Sequence, residues 1–297
     1  MRTVYLGTSA FAAAVLQRLS DSPHRPQLVV SRPDSQRGRG RRVHPPPVVE
    51  TARALGLESF QPDSVNSEEA RARIAGARPE AICVCAFGAL IKDPLLSDHR
   101  IFNVHPSLLP RWRGAAPIER AIMAGDGHTG VSIMILTAGL DSGPICRQST
   151  VEIGPDDDYG AVATRLEQLG GEDLVGVLDE DPSPVPQPQD GVTYADKITA
   201  EDRELHPERE RAAAVALRIR ALTPHIGAYL ELPDGGGRLG VSRARVSDLP
   251  APLGGEIDLT GPRPLVGCAE GVLELLRVQP PGKRAMDAED YVRGLRR

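Results

Sequence analysis

The sequence predicts an α/β fold, with a Rossmann-like domain followed by a small C-terminal β-barrel domain of the oligonucleotide-binding type. Three observations predict it. Short apolar segments alternate with helical patterns as far as Leu169. The proline-rich run Asp181–Gln189 then interrupts the chain, because its prolines remove backbone donors and fix φ. After a further helical pattern, the remaining sequence consists of short strand patterns punctuated by Gly and Pro.

The first domain opens with a β-turn-α-β pattern. Thr3–Leu6 is an apolar strand, Gly7 ends it, Ala10–Leu19 carries a helical apolar pattern, and Gln27–Ser31 is the second strand. Further helices are predicted at Val48–Leu55, Glu68–Ala75, Ile118–Ala124 and Ala161–Leu169, and further strands at Ala81–Ala86, Ile101–Val104, Val131–Leu136 and Ile145–Ile153. Strands separated by helices indicate a doubly wound sheet.

The chain is long enough for two domains, and we place the boundaries at 1–185 for the first domain, 186–204 for a linker and 205–297 for the second. The second domain begins with a helix predicted at Arg209–Leu222. Its strands are predicted at Ala228–Leu232, Leu239–Val246, Gly254–Asp258, Pro264–Cys268 and Gly271–Val278.

Composition excludes several classes of protein. The net charge of −5 argues against a bulk nucleic-acid binder, although it leaves room for a local basic patch. The four cysteines form no CxxC pair and no zinc spacing, so we expect no metal. No signal peptide and no run of 18 apolar residues is found, which predicts a soluble, reduced, cytoplasmic protein. Gly7–Ala12 lacks the three-glycine spacing of a nicotinamide site, and no phosphate-binding GxxxxGK[ST] loop occurs.

The most informative pattern is Asn103-Val104-His105, followed by Asp141 in Leu-Asp-Ser-Gly-Pro. Residues two apart on a strand share a face, so the amide and the imidazole should project together at a strand end, where open α/β sheets bind ligands. An amide donor, an imidazole and a carboxylate suit a reaction that develops negative charge on a carbonyl oxygen, namely acyl transfer.

Each of these residues also has an ordinary structural interpretation. Asn103 could cap the turn that leaves its strand, His105 could be a structural residue before Pro106, and Asp141 could be a turn carboxylate. The following segment from Pro106 to Ile118 is rich in proline and holds the single tryptophan, which is typical of a stiff loop around a small-molecule pocket.

Two segments carry a resemblance to a known family. NVHPSLLPRWRGAAPI, which begins at Asn103, and GVSIMILTAGLDSGPI, which contains Asp141, closely resemble the folate-dependent formyltransferases. Three further segments resemble the members of that family that formylate methionine attached to initiator tRNA. They are the opening VYLGTSAFA, the basic loop RPDSQRGRGRR after the second strand, and the closing VQPPGKRAMDAEDY. The resemblance spans nearly the whole chain and implies that function in translation initiation.

The resemblance also implies roles for individual residues. Asn103 and His105 would donate to the oxyanion when the α-amine attacks the formyl carbon, and Asp141 would pair with His105. The donor would be 10-formyltetrahydrofolate, bound without a metal at two loops and the segment between them. The residues implied at this folate site are Phe87, Gly88, Ala89, Leu90, Ser107, Leu108, Leu109, Pro110, Leu136 and Gly139.

A basic loop is the second informative element. From charge alone it could be a solvated, mobile loop, whereas the resemblance implies contact with the tRNA acceptor stem and makes Arg39 the best match to the family's discriminating arginine. The residues implied in tRNA binding are Arg37, Arg39, Arg41, Arg42, Lys197 and Lys283. A further basic group comprises Arg209, Arg211, Arg218, Arg220 and Arg284. Helix exposure alone could explain the first four, and the alternative is a basic channel along which tRNA phosphates lie.

We therefore expect a monomeric enzyme whose partners are initiator methionyl-tRNA and the folate donor, with no membrane partner. The alternatives are a formyltransferase acting on a sugar-nucleotide amine and a formyltetrahydrofolate hydrolase. Neither gives a reason for the arginine loop together with the closing segment. A nucleic-acid-binding module with a decayed catalytic domain is disfavoured by the intact Asn103, His105 and Asp141.

Overall fold

The structure is a computed structural model that describes residues 1–37, 42–250 and 252–296. The strands are β1 (Thr3–Gly7), β2 (Pro26–Val30), β3 (Ser35–Arg37), β4 (Arg42–His44), β5 (Ser59–Phe60), β6 (Ala81–Cys85), β7 (Ile101–His105), β8 (Arg113–Gly114), β9 (His128–Ile135), β10 (Ile145–Glu152), β11 (Tyr194–Ala195), β12 (Ala228–Leu232), β13 (Gly237–Ser247), β14 (Ile257–Asp258), β15 (Leu265–Gly267), β16 (Val272–Gln279) and β17 (Met286–Asp287). The helices are α1 (Ala10–Ser20), α2 (Pro47–Ala54), α3 (Glu68–Gly76), α4 (Leu95–Asp98), α5 (Pro117–Met123), α6 (Tyr159–Glu180), α7 (Ala212–Leu222) and α8 (Ala288–Leu295), with 3-10 turns at Glu201–Arg203 and Pro233–Gly235.

The chain divides into two compact units that interleave along the sequence. The first contains residues 1–114, 128–152 and 163–194, and the second contains residues 115–127, 153–162 and 195–297. The predicted boundaries cut the chain into consecutive pieces instead. The difference arises because two short excursions, 115–127 and 153–162, leave the first unit and return to it.

A mixed seven-stranded sheet forms the centre of the first unit, in the order β10-β9-β7-β6-β1-β2-β5. Strands β7, β6, β1, β2 and β5 run parallel, whereas β9 is antiparallel to β7 and β10 is antiparallel to β9. The predicted Rossmann-like α/β domain is thereby confirmed. Since parallel strands end at one edge of a sheet, the loops after β1, β6 and β7 lie at the same edge.

Helix α1 shows why the opening segment folds as predicted. The Ser9 hydroxyl caps the helix by accepting a hydrogen bond from the Ala12 N–H at 3.2 Å. The apolar side chains of Val15, Leu16 and Leu19 recur at helical spacing and are completely buried. The first βα unit is therefore held by one cap and one apolar face.

Helix α6 is much longer than the predicted Ala161–Leu169. The prediction ends before Gly170-Gly171 because a glycine pair ordinarily indicates the end of a helix. These glycines are packing positions rather than a helix end. A Cβ at Gly170 would lie 2.9 Å from Val104 Cγ1 on the sheet, and one at Gly171 would lie 2.7 Å from the Cβ of Arg18. Glycine lets the helix approach its neighbours more closely than a side chain would allow.

The second unit contains an antiparallel sheet in the order β12-β13-β16-β15-β14, with β17 paired to β16. Helix α7 packs on it, and Val215, Ile219 and Leu222 share a core with Leu239 and Leu275. The predicted C-terminal β domain is confirmed. Helix α7 begins at Ala212 rather than Arg209, and α8 was not predicted. Among the described residues, no helix is long and apolar enough to cross a membrane.

Candidate functional site

Strand β7 carries the first two predicted site residues. Asn103 and His105 lie two positions apart on this strand, which is buried along its whole length, and they are 9% and 4% exposed. The amide of Asn103 forms no hydrogen bond with any residue that the structure describes. A strand end next to the parallel β6 therefore presents an unused amide and an almost fully buried imidazole on one face.

The ring of His105 is fixed by the loop that follows it. Its Nε2 lies 2.8 Å from the backbone carbonyl oxygen of Trp112. Since a carbonyl oxygen only accepts hydrogen bonds, Nε2 carries a hydrogen and donates it. Consequently Nδ1 is the ring nitrogen at which a proton is gained or lost.

Asp141 faces this nitrogen. Its Oδ2 lies 3.7 Å from His105 Nδ1 and accepts a hydrogen bond from the Gly114 N–H at 2.9 Å. The carboxylate is thus close enough to stabilise a positive imidazolium, and its own position is held by the backbone. Gly114 has φ of +125°, a conformation that favours glycine, so this contact depends on the residue type at 114.

The loop that carries Asp141 folds back along β7. Because β9 runs antiparallel to β7, this loop starts beside the first residue of β7, where the Leu136 N–H donates to the Ile101 carbonyl at 2.8 Å. Asp141 nevertheless reaches His105, the last residue of that strand. Gly143 permits the return, because a Cβ there would overlap the backbone carbonyl of Ile135.

Strained backbone marks the same region. Among the described residues, five non-glycine residues have positive φ. Arg78 lies just past the Ala77 C-cap of α3 and Asp181 directly follows α6, positions where a left-handed residue is ordinary. The others, Ala86, Trp112 and Asp141, follow no helix and lie in the loops at the site. Such residues cost on the order of 1–3 kcal/mol each and cluster at functional sites.

The segment Ser107–Arg111 is held by three polar side chains, of which Ser107 and Ser132 are buried and Gln148 is exposed. Ser107 donates to the Arg111 carbonyl at 2.7 Å, and Ser132 donates to the Ser107 carbonyl at 2.7 Å. Gln148 donates to both Ser132 Oγ and the Leu109 carbonyl at 2.9 Å. The loop that supplies the Trp112 carbonyl is therefore tied to β9 and β10.

The predicted folate residues fall into two groups. Phe87, Ser107 and Leu109 are buried, Leu136 is partly buried, and Leu90 is 68% exposed. The carbonyls of Phe87, Gly88 and Leu90 already accept hydrogen bonds from Thr8, Arg32 and Asn66, at 2.8, 2.6 and 2.8 Å. The first group follows β6 and β9: Phe87, Gly88, Ala89 and Leu90 lie in the loop after β6, and Leu136 and Gly139 lie in the loop that carries Asp141. The second group, Ser107, Leu108, Leu109 and Pro110, belongs to the segment tied to β9 and β10.

A cavity of about 690 Å³ opens at the edge of the sheet where β1 and β6 end. Its lining includes Thr8, Ser9, Arg32, Phe87 and Gly88. This volume is within the usual range of small-molecule sites, and two of its lining residues are among those predicted to bind folate.

The basic loop begins as a hairpin. Strands β3 and β4 pair antiparallel, with Arg37 opposite Arg42. Arg42 is exposed, while Arg39 and Arg41 lie outside the described residues. Lys197 and Lys283, the other predicted tRNA-binding residues, are also exposed.

Several arginines of the predicted basic channel have structural partners. Arg220 donates to the carbonyls of Gly154 and Asp157 at 2.7 Å, and Arg218 pairs with Glu210 at 2.5 Å. Arg209 and Arg211 pair with Glu208 and Glu270. These hydrogen bonds and ion pairs, made by arginines in and just before α7, support the structural interpretation of the four side chains.

Sequence reasoning missed Gln187, which lies in the proline-rich run interpreted as a domain boundary. Gln187 is 7% exposed and donates to the carbonyls of Asp141 and Gly143, both at 2.8 Å. Its Oε1 accepts from Arg113 Nε and Nη2 at 3.1 and 2.6 Å. No sequence pattern distinguishes it from the exposed Gln189 two residues later.

No metal-binding cluster was found in the described part of the chain, meaning no group of three or more His, Cys, Asp or Glu side chains. The cysteines are free. Burial raises the pKa of Cys83 and Cys85 to about 12 and, together with the negative Glu210, raises that of Cys268 to about 11. These thiols are packing groups rather than nucleophiles.

Comparison with known proteins agrees with this geometry. Residues 1–178 match the Formyl transferase family model, and residues 197–296 match the model Formyl transferase, C-terminal domain. A methionyl-tRNA formyltransferase of Halorhodospira halophila is 40% identical over 302 residues, covering 99% of this chain and 96% of that protein.

Two solved structures share the fold. The methionyl-tRNA formyltransferase from Clostridium thermocellum superposes with a TM-score of 0.61 at 17% identity, covering 84% of this chain and 95% of its own. HypX from Aquifex aeolicus in complex with tetrahydrofolic acid superposes with a TM-score of 0.65 at 16% identity, covering 98% of this chain and 47% of its own.

Proposed function

The chain belongs to the formyl transferase family, and from that membership we propose that it transfers the formyl group of 10-formyltetrahydrofolate to the α-amino group of methionine on initiator tRNA. The observation that carries the chemistry is the unpartnered amide of Asn103 beside an imidazole whose Nε2–H is already committed to the Trp112 carbonyl. The curated relative that matches nearly the whole chain supports the choice of acceptor.

The reaction needs stabilisation of negative charge more than it needs a strong base. The α-amino group titrates near pH 7.7–8.0, so a large fraction is free at neutral pH. When it attacks the formyl carbon, the carbonyl oxygen becomes an oxyanion. The Asn103 amide supplies a donor that is already in place and costs no reorganisation, which is the arrangement that stabilises such charge most effectively.

His105 takes part through Nδ1, because its other nitrogen is held by Trp112. A proton on Nδ1 gives the imidazolium a second donor, and Asp141 at 3.7 Å stabilises its positive charge. In this state Nδ1 shares its hydrogen between the carboxylate and the developing oxyanion. After the tetrahedral intermediate forms, Nδ1 gives its proton, directly or through water, to the folate nitrogen that leaves as its bond to the formyl carbon breaks. The neutral Nδ1 then accepts the proton lost by the amine.

The residues near β6 fit a folate. The N–H groups of Gly88, Ala89 and Leu90 have no partner among the residues the structure describes, and the Leu90 side chain is exposed beside them. A pterin ring needs both backbone hydrogen bonds and apolar contact, and this loop offers both. The bound folate supplies the activated formyl group. HypX, which shares the fold, was crystallised with tetrahydrofolic acid.

For the tRNA, the β3–β4 hairpin and the C-terminal sheet supply basic side chains. Arg37 and Arg42 lie on β3 and β4, Arg39 and Arg41 belong to the same stretch of sequence but lie outside the described residues, and Lys197 and Lys283 add exposed charge in the second unit. Clustered guanidinium groups suit phosphate contacts, which weaken as salt concentration rises.

The sheet of the second unit adds a contact that the sequence did not indicate. On β13, Arg238 pairs with Glu231 and Arg245 pairs with Glu274, at 2.8 and 2.5 Å. Arg243 instead lies opposite Arg277 and has no partner among the described residues. Arg277 is itself paired with Asp287 at 3.5 Å, so Arg243 is the guanidinium of the two that lacks a carboxylate partner among the described residues, and a phosphate that binds there would supply the missing negative charge. We assign Arg243 to the tRNA surface.

The single chain carries all three proposed catalytic residues, so we take the monomer as the active unit. The test is a formylation assay with the purified chain, 10-formyltetrahydrofolate, and either methionyl initiator tRNA or methionyl elongator tRNA. We expect formyl-methionine on the initiator tRNA and far less on the elongator tRNA. Formylation of neither, or hydrolysis of the folate without an acceptor, would contradict the proposal.

A further inference from the structure

Gln187 occupies an unusual place in the proline-rich segment after α6. Its neighbours Pro186 and Pro188 are exposed, whereas Gln187 is 7% exposed. Val185, just before it, is paired with Ile145 on β10 through two hydrogen bonds of 2.8 Å. The segment therefore runs along the first unit in extended form and directs this one side chain inward.

The amide of Gln187 is fully used. Its Nε2 donates to the carbonyls of Asp141 and Gly143, and its Oε1 accepts two hydrogen bonds from the Arg113 guanidinium. The two ends of the amide cannot be exchanged, since carbonyl oxygens only accept and a guanidinium only donates. A side chain with four such contacts has one orientation.

These contacts join the two loops that restrain the His105–Asp141 pair. On one side, Arg113 lies between Trp112, whose carbonyl holds His105 Nε2, and Gly114, whose N–H holds Asp141 Oδ2. On the other side is Asp141, whose backbone has a strained φ of +42°. The Gln187 amide therefore connects the segment that holds both the His105 ring and the Asp141 carboxylate to the loop that carries Asp141.

We propose that Gln187 is a positioning residue that sets the approach of the Asp141 carboxylate to His105 Nδ1. In this role it acts through the backbone carbonyls of Asp141 and Gly143. The inference rests on the proposed function, because its consequence is read in formyl transfer. A displacement of about 1 Å in a catalytic group costs about 10²-fold in rate.

The informative variant is Gln187→Glu. A carboxylate of the same shape keeps the contacts with Arg113 but loses both donors and opposes two carbonyl oxygens. We expect kcat to fall by about 10²-fold, while KM for the folate and for the tRNA stays within about twofold. The matched control is Gln189→Glu, which makes the same change at an exposed glutamine. Gln187 and Gln189 both line a second cavity, of about 410 Å³, and the control should behave as wild type.

A double-mutant cycle separates positioning from a general structural role. If Gln187 acts through Asp141, then Gln187→Glu added to Asp141→Asn should cost less than threefold beyond Asp141→Asn alone. A structural role would give additive losses. Thermal unfolding checks that each variant is folded, and Gln187→Met, which keeps the shape but removes every hydrogen bond, serves as the second variant if Gln187→Glu does not fold.

Undiminished kcat in Gln187→Glu or Gln187→Met, additive losses in the cycle, or a rise in KM at constant kcat would each overturn the positioning role. Failure of the proposed function looks different. In that case the wild-type chain itself would form no formyl-methionine, which would overturn both statements together.

Discussion

Replacing Asn103 by alanine separates function from stability more sharply than any other change at this site. The amide has no hydrogen-bond partner among the described residues, so its removal breaks no contact of the folded chain. The residue is 9% exposed, and a small side chain in its place leaves no unpaired polar group. We therefore expect the free energy of unfolding to change by less than about 1 kcal/mol.

The same substitution should reduce catalysis strongly. Loss of one donor to an oxyanion typically costs about 2.7–4 kcal/mol, which corresponds to about 10²–10³ in kcat. Because the amide acts on the transition state, KM for the folate should change little. The assays are formylation kinetics with methionyl initiator tRNA and denaturant unfolding of the same preparation.

The matched control is Asn66→Ala, since Asn66 is an asparagine of the same unit whose amide is occupied. It donates to the Leu90 carbonyl and accepts from the Lys92 N–H, both at 2.8 Å. Two lost hydrogen bonds should cost about 1–3 kcal/mol and loosen the loop after β6. A stability loss in Asn103→Ala as large as that in Asn66→Ala, or a kcat within threefold of wild type, would refute the oxyanion role of Asn103.

Three further outcomes are expected. Arg243→Glu should raise KM for the tRNA but not for the folate and make tRNA binding less steeply dependent on salt; equal effects on both substrates would contradict the tRNA assignment. Gly294→Ala should stabilise the chain by about 0.5–1 kcal/mol in urea unfolding, because a Cβ there meets no atom within 4 Å and α8 is helical at that point. A thiol reagent at pH 8 should label the partly exposed Cys146 before it labels the buried thiols Cys83, Cys85 and Cys268, because burial raises their pKa and closes access. If mass spectrometry shows that any buried thiol is labelled before Cys146, the core around it opens readily.

The fold was predictable where local patterns and tertiary packing agree. The buried strands β1 and β6 are largely apolar runs, β7 is apolar apart from Asn103 and His105, and the structure has all three within a residue or two of the predicted bounds. The predicted α6 was too short because glycine ordinarily ends a helix, whereas Gly170 and Gly171 allow α6 to pack closely against Val104 and Arg18. That cause lies in distant residues and leaves no local signal.

The site was predictable in proportion to how local its geometry is. The period of a strand is enough to place Asn103 and His105 on one face. Asp141 was named as the carboxylate of the pattern, but the strand period does not place it beside His105, because its loop starts at the opposite end of β7 and returns to His105. Gln187 was not predictable, since only the folded chain distinguishes it from Gln189.

The groups that hold His105 and Asp141 explain, in physical terms, why the sequence alone does not predict how these two side chains are positioned. His105 is oriented by the carbonyl of Trp112 and Asp141 by the N–H of Gly114, groups that almost every residue possesses. Residue type matters there through conformation, as with the φ of +125° at Gly114, rather than through a chemically distinctive side chain. The Gln187 amide and the Arg113 guanidinium are the side chains that connect the Asp141 loop to the segment holding both members of the pair, so substitutions at these two positions test the positioning of Asp141 without removing a catalytic group.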